Sequence, residues 1–219
     1  MFKPVIFLGP TLSVEKAKEI LDADYKPPAK KGDLLQLIPS NVKTIGIIDG
    51  YFLQDYPPTP IEVYNLLRKK DVKVYGSSSL GALRAVELNK FGMIGIGKIF
   101  ELFLKGVLDS DDEVAVTFTG YSEYKSDALI DIRYNLFLAQ KNNIIDKTTK
   151  KHILQITKKT YFPYRTYNDI IEESKKIFSS QKKQFEDFQE YLVKNKKSLK
   201  EKDAIKLLIK IKEELNKNQ

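Results

Sequence analysis

Three short apolar runs, VIFLG (5–9), TIGIIDG (44–50) and VKVYG (72–76), each end in glycine, and segments of helical spacing, VEKAKEILDA and PIEVYNLLRKK, lie between them. β-branched runs of this length have the character of strands buried on both faces, and helical segments between them are the crossovers that parallel pairing requires. The pattern predicts an α/β fold, mainly a parallel sheet with crossover helices. In such sheets ligands bind beyond the carboxyl ends of the strands. GlyPro at 9–10, AspGly at 49–50 and the serines after Gly76 are therefore expected at one edge.

The third run leads into VKVYGSSSLGALRAVEL (72–88), a strand, a sharp turn carrying Ser77, Ser78 and Ser79, and a helix. The first N–H groups of a helix lack internal partners and carry the positive end of its dipole, so they suit an anion or a developing oxyanion. A serine at this junction has two readings. It is an N-cap contributing about 1 kcal/mol, or it is a nucleophile. The spacing Gly76-x-x-Ser79-x-Gly81 is related to the G-x-S-x-G nucleophile elbow without matching it, and the Gly-Lys-Ser/Thr ending of a P-loop is absent. Asp49 likewise has two readings, an Asx-type turn or a residue that orients a catalytic group.

The chain holds no cysteine, which rules out disulfides, thiolate metal sites and any mechanism in which it carries sulfur itself. Its formal charge of +8 is uneven: residues 1–145 hold 18 Lys and Arg against 18 Asp and Glu, residues 146–219 hold 19 against 11. The division predicts an α/β core domain over 1–145 and a basic α-helical C-terminal extension over 146–219, suited to an acidic partner surface or simply to solvated helices. Apolar stripes in that extension (Ile171, Phe178, Phe185, Phe188, Leu192; then Leu199, Ile205, Leu208, Ile211, Leu215) need cover from the α/β body, from each other or from another protein. No apolar run is long enough to span a membrane and no signal-peptide layout opens the chain, so a cytoplasmic protein is expected.

Between the first two runs, Pro27 and Pro28 forbid a helix and predict a structured loop. The stretch 91–106 reads as a glycine-rich turn entering a helix, and 126–144 as a helix capped by Ser126. The acidic run Asp109 to Glu113 has a metal-binding reading and a solvated-turn reading, and no metal or cofactor is expected.

His152, the sole histidine, lies in a lysine-rich helical segment far from any strand end, which argues against a Ser-His-Asp triad. A serine nucleophile here would need another base, and a neutral lysine is the established substitute. Lys30, Lys31 and Lys98 lie on loops at the expected edge.

The segments FLGPTLS (7–13), YKPPAKKGDL (25–34), IGIIDGYF (45–52), VYGSSSLGALRAVEL (74–88), FGMIGIGKIFE (91–101) and DDEVAV (111–116) together resemble the TfuA-like family. The resemblance implies partnership with a YcaO enzyme in thioamidation of a peptide backbone. It also implies hydrolysis of the C-terminal thiocarboxylate of a ThiS-like, ubiquitin-like sulfur carrier by a Ser-Lys site. The family's GxxSxGALRA pattern puts the serine at Ser79. The lysine is placed at Lys30, with Lys31 and Lys98 behind it, and Asp49, Ser78, Gly81 and Arg84 are the expected substrate contacts. Arg84 alternatively pairs with Glu87 on its own helix. The rival reading is a non-catalytic adaptor that docks the YcaO enzyme with its peptide or with the carrier. Nucleic-acid binding is disfavoured, since the basic third carries no recognised motif and no arginine cluster.

Overall fold

The computed structural model describes residues 3–52, 56–120 and 123–217. It divides into two compact units, Met1–Asp111 with Phe118–Glu123 and Lys200–Gln219, and Asp112–Thr117 with Tyr124–Leu199. The boundary expected at 145 does not coincide with this division. The terminal helix belongs to the sheet unit, and the second unit begins well before the basic third.

The first unit is built on five strands, β1 (Val5–Phe7), β2 (Asp24–Lys26), β3 (Thr44–Ile47), β4 (Lys73–Ser77) and β5 (Ile94–Ile96). They pair in parallel in the order β2-β1-β3-β4-β5. The α/β class read from the sequence is therefore the observed one. Helices α1 (Val14–Ile20), α2 (Pro60–Leu67), α3 (Leu80–Leu88) and α4 (Lys98–Leu104) accompany these strands. Local chemistry starts the first two: the Ser13 hydroxyl accepts from the Lys16 N–H, and Thr59 with Glu62 forms a capping box ahead of Pro60. Two strands were hidden within expected loops. β2 is a three-residue edge strand stopped by Pro27, and β5 is an IGI triplet inside the glycine-rich stretch. Neither has the length or apolar continuity that marks a buried strand.

The second unit contains α5 (Leu129–Lys141), α6 (Lys147–Lys159), α7 (Tyr167–Ile177) and α8 (Lys182–Asn195). Their stripes cover one another, with Ile132, Leu136, Ile153, Ile170, Phe185 and Phe188 in one buried cluster. Ser126 does not cap α5, whose N-cap is Ala128. Its hydroxyl accepts from the Thr117 N–H instead. Two carboxylates of the acidic run are spent on arginines. Asp112 receives the Arg165 guanidinium at 2.7 Å, and Glu113 that of Arg133 at 2.6 Å. Arg165 is 1% exposed and also donates to the Thr157 and Thr160 carbonyls, which satisfies a charge that would otherwise be costly to bury.

The chain then returns to the sheet as α9 (Leu199–Lys217). Its Leu207, Leu208 and Ile211 are fully buried with Ile6, Ile48 and Tyr75 of the sheet and Ala17 and Leu21 near α1. Gly46 makes this docking possible, because a Cβ there would lie 2.7 Å from Ile6 Cδ1 and 3.1 Å from Leu207 Cδ2. Fully burying each of these aliphatic side chains contributes about 1.5–3 kcal/mol, so hydrophobic burial dominates the attachment of α9.

Polar contacts fix the register of α9 at both ends of β4. The Ser77 hydroxyl donates to the Asp203 carbonyl at 2.9 Å, and at the far end Glu214 accepts from Tyr75 Oη at 2.6 Å and Lys73 Nζ at 2.8 Å. Lys73, then Tyr75, hold the Glu214 carboxyl down from 4.5 to about 2, while burial and then Glu214 push the Tyr75 phenol up. A carboxylate with a depressed pKa contributes stability that is complete above its unfolded value and lost as pH falls toward its folded value. Glu214→Gln is therefore expected to lower the melting temperature by about 2–4 °C at pH 7, a loss of roughly 1 kcal/mol. The gap from wild type should close between pH 4.5 and about 2, which thermal melts across that range would check.

Candidate functional site

Helix α3 is pressed against the strands that precede it. A Cβ on Gly81 would stand 1.7 Å from the Ile47 carbonyl oxygen, and one on Gly76 would stand 2.1 Å from the Gly81 carbonyl oxygen. Only hydrogen at both positions permits the contact, and the chain must pass from β4 into α3 within Ser77 to Ser79. The turn is made by placing Ser78 at φ +67°, the left-handed region that a residue with a Cβ adopts at a cost of about 1 kcal/mol or more.

The three hydroxyls of the turn have different fates. Ser77 Oγ is committed to the Asp203 carbonyl. Ser79 is 2% exposed, and although it holds the N-cap position of α3, its side chain makes no cap hydrogen bond. Ser78 is fully buried, and its Oγ has no hydrogen-bond partner. An unpaired buried hydroxyl costs about 1–3 kcal/mol, so two penalties coincide on one residue. The main-chain donors are partly spent as well: the Ser79 N–H bonds the Ser77 carbonyl at 2.8 Å and the Gly81 N–H the Ile48 carbonyl at 3.3 Å. Those two groups, expected as oxyanion donors, are occupied within the fold.

Asp49 bridges to a distant loop. Its carboxylate, 2% exposed, accepts from the Gly9 N–H (2.9 Å), the Thr11 N–H (3.1 Å) and Thr11 Oγ1 (2.6 Å). It thereby closes the gap between the loops after β1 and β3, the switch point of this strand order and the usual ligand crevice of an open parallel sheet. Arg84 forks onto Glu87 at 2.7 and 2.8 Å and donates to the Pro58 carbonyl.

The lysines proposed as base each have other surroundings. Lys30 lines a cleft of about 250 Å³ with Lys26, Asp33, Gln36 and Tyr51, and no serine of the turn contributes to it. Lys31 lies 5.5 Å over the Tyr56 ring, and Lys98 pairs with Glu101 at 3.1 Å. His152 stacks on Phe178 at 3.8 Å in the helical unit.

Two buried residues of α9 escaped sequence reasoning. Asp203, fully buried on α9, accepts from the Ile99 N–H at 2.7 Å and so caps α4, whose own N-cap residue is Gly97. Gly97 has φ +101°, and a Cβ there would lie 2.4 Å from Asp203 Cγ. Lys200, one helical turn before Asp203, is the fully buried lysine among the described residues. Both lie over a hundred residues from the turn in a helix that by periodicity alone reads as ordinary and amphipathic.

The family model described as TfuA-like protein matches residues 49–166, more than half of the chain. The chain belongs to the TfuA-like family. This membership places it in the YcaO-associated thioamidation system. The TfuA-like match runs from Asp49 through the serine turn, Arg84 and Lys98 and ends beyond residue 145, while Lys30 and Lys200 fall outside it. No curated protein matches the chain. Among the described residues no helix is long and apolar enough to cross a membrane.

The close approach of α3 gives a direct test. Alanine is the better helix former by about 1 kcal/mol, yet Gly81→Ala should destabilise the TfuA-like chain by about 3 kcal/mol, because the obstructing atom is backbone and cannot rotate away. Denaturant unfolding of the variant against wild type would read the difference.

Proposed function

We propose that this chain is the sulfide-releasing accessory protein of a YcaO-dependent thioamidation. It hydrolyses the C-terminal thiocarboxylate of a ThiS-like, ubiquitin-like carrier and assists the YcaO enzyme in engaging its peptide. A thiocarboxylate and water become a carboxylate and hydrogen sulfide, which asks for a hydroxyl nucleophile, donors for the tetrahedral oxyanion, and no sulfur ligand on the protein. The chain without cysteine meets the last requirement. The observation that carries the reading is the strained serine turn at the carboxyl edge of the sheet, where a non-glycine residue holds φ +67° with an unpaired hydroxyl. Strain of this kind persists only where the surroundings over-determine it, and it gathers at functional sites. The helix that follows the turn supplies the electropositive end expected near a developing oxyanion.

The Ser79-Lys30 pair expected from the resemblance is not part of this proposal in its resting form. The near-complete burial of Ser79 and the placement of Lys30 in a separate cleft favour a second reading, the non-catalytic adaptor. The two part on a simple assay. Purified chain mixed with thiocarboxylated carrier should release sulfide at least about 100-fold faster than carrier alone, the scale that a positioned nucleophile and base provide. Under the adaptor reading, sulfide release is unchanged while thioamide formation in a reconstituted YcaO reaction still requires the chain.

A further inference from the structure

We propose that the cleft at the carboxyl ends of β1 and β2 binds the carboxyl terminus of an extended peptide, with Lys30 as the cation that holds it. The inference goes beyond the hydrolase reading and stands equally under the adaptor reading. Phe7 and Lys26, the last residues of β1 and β2, line the cleft, so it lies on the edge where open parallel sheets receive ligands. Its volume is about 250 Å³. That is below the roughly 300–1,000 Å³ of pockets for drug-sized molecules, so it admits the end of a chain and not a nucleotide.

The walls of the cleft are preformed. Ala29 is tied to the segment after β3 through both main-chain groups, its N–H donating to the Asp49 carbonyl at 2.9 Å and its carbonyl accepting from the Tyr51 N–H at 3.0 Å. Pro27 and Pro28 enter that tie with φ already fixed, and Phe7 and Pro28 are buried. A site held in this way loses little conformational freedom when a ligand enters. The neighbouring amides are engaged within the fold: the Leu8 N–H bonds the Lys26 carbonyl at 2.9 Å, the Lys30 N–H bonds Asp33 Oδ2 at 3.0 Å and the Lys31 N–H bonds the Tyr56 carbonyl at 2.8 Å. Phosphate is commonly cradled by a nest of free amides, so recognition here falls to side chains.

Charge then selects the ligand. Lys26 is paired with Asp24 at 3.0 Å. Among the described residues Lys30 Nζ has no hydrogen-bond or ion-pair partner, so it is the cation left for a ligand. The Asp33 carboxylate lines the same cleft, which sets one negative group beside that cation and disfavours a doubly charged phosphate. A peptide end carries both complements, a singly charged carboxylate and a row of N–H donors. The carboxylate meets Lys30, the last N–H groups meet Asp33 and the Gln36 amide oxygen, and the apolar parts of the peptide rest on Phe7, Pro28 and Leu37.

The test is binding of fluorescent hexapeptides to the full chain, read by anisotropy: the ThiS-like carrier's carboxyl-terminal sequence as free acid, the same peptide as its amide, and an unrelated sequence as free acid. The amide should bind at least about tenfold more weakly than the acid, the scale of one hydrogen bond to a charged group. Lys30→Gln should weaken the acid by a similar factor, leave the amide unchanged and keep the wild-type melting temperature, while Lys98→Gln, with the same loss of charge away from the cleft, should bind like wild type. Both free acids responding in this way supports the site, and tighter binding of the carrier sequence identifies the carrier as the source of the terminus. Equal binding of acid and amide, an undiminished acid affinity in Lys30→Gln, no saturable binding of either acid, or displacement of the peptide by inorganic phosphate at lower concentration than by unlabelled acid overturns the proposal. Because the readout is binding, a chain that releases no sulfide overturns the hydrolase reading alone.

Discussion

The contact on which the rest of the sheet unit depends is that of α3 with β3 and β4, where main chain meets main chain at Gly76 and Gly81 with no room for a side-chain carbon. Gly50, just past β3, shares in it, since a Cβ there would lie 2.1 Å from Leu80 Cδ2. Close approach shortens the path between strand and helix, so the turn can be made only by passing through left-handed backbone at Ser78. Packing at one level thus fixes a torsion at the next, and the torsion decides which hydroxyl stands at the apex. The cost, about 1 kcal/mol for the torsion and a similar or larger amount for the unpaired oxygen, is small beside the burial of the surrounding aliphatic side chains and is readily sustained.

Around that turn the carboxyl edge of the sheet is a closed network. Asp49 holds the loop after β1 against β3 with three hydrogen bonds, filling the place where open parallel sheets usually receive ligands. The terminal helix ties the edge from the other side, through Ser77 to the Asp203 carbonyl and through the Asp203 carboxylate to the start of α4. The separate cleft at Lys26 and Lys30 is open and cationic, and it does not share the serine turn.

The sheet could be read from sequence where strands were apolar, β-branched and ended in glycine, as β1, β3 and β4 are. It could not be read at β2 and β5, three residues each, where polar or glycine content masks the pattern. The serine turn was legible because three serines stand between a strand and a helical period. The left-handed backbone at Ser78 was not, because the sign of φ there arises from the approach of α3 and not from local composition. Nothing in the local sequence of Asp203 links it to a turn so much earlier in the chain, since the link is made by Leu207, Leu208 and Ile211 packing on the sheet. Charge counting drew a different line. It grouped α9 with the basic helices before it, although its apolar face belongs to the sheet.

The most direct test of the account is a rapid-quench experiment on wild type with thiocarboxylated carrier, read by intact mass and then by peptide mapping. The account predicts a transient species whose mass equals chain plus carrier less hydrogen sulfide, with the carrier's terminal residue esterified to a serine of the turn between β4 and α3. Sulfide release at full rate with no such adduct at any time, or with the adduct on another residue, would contradict it.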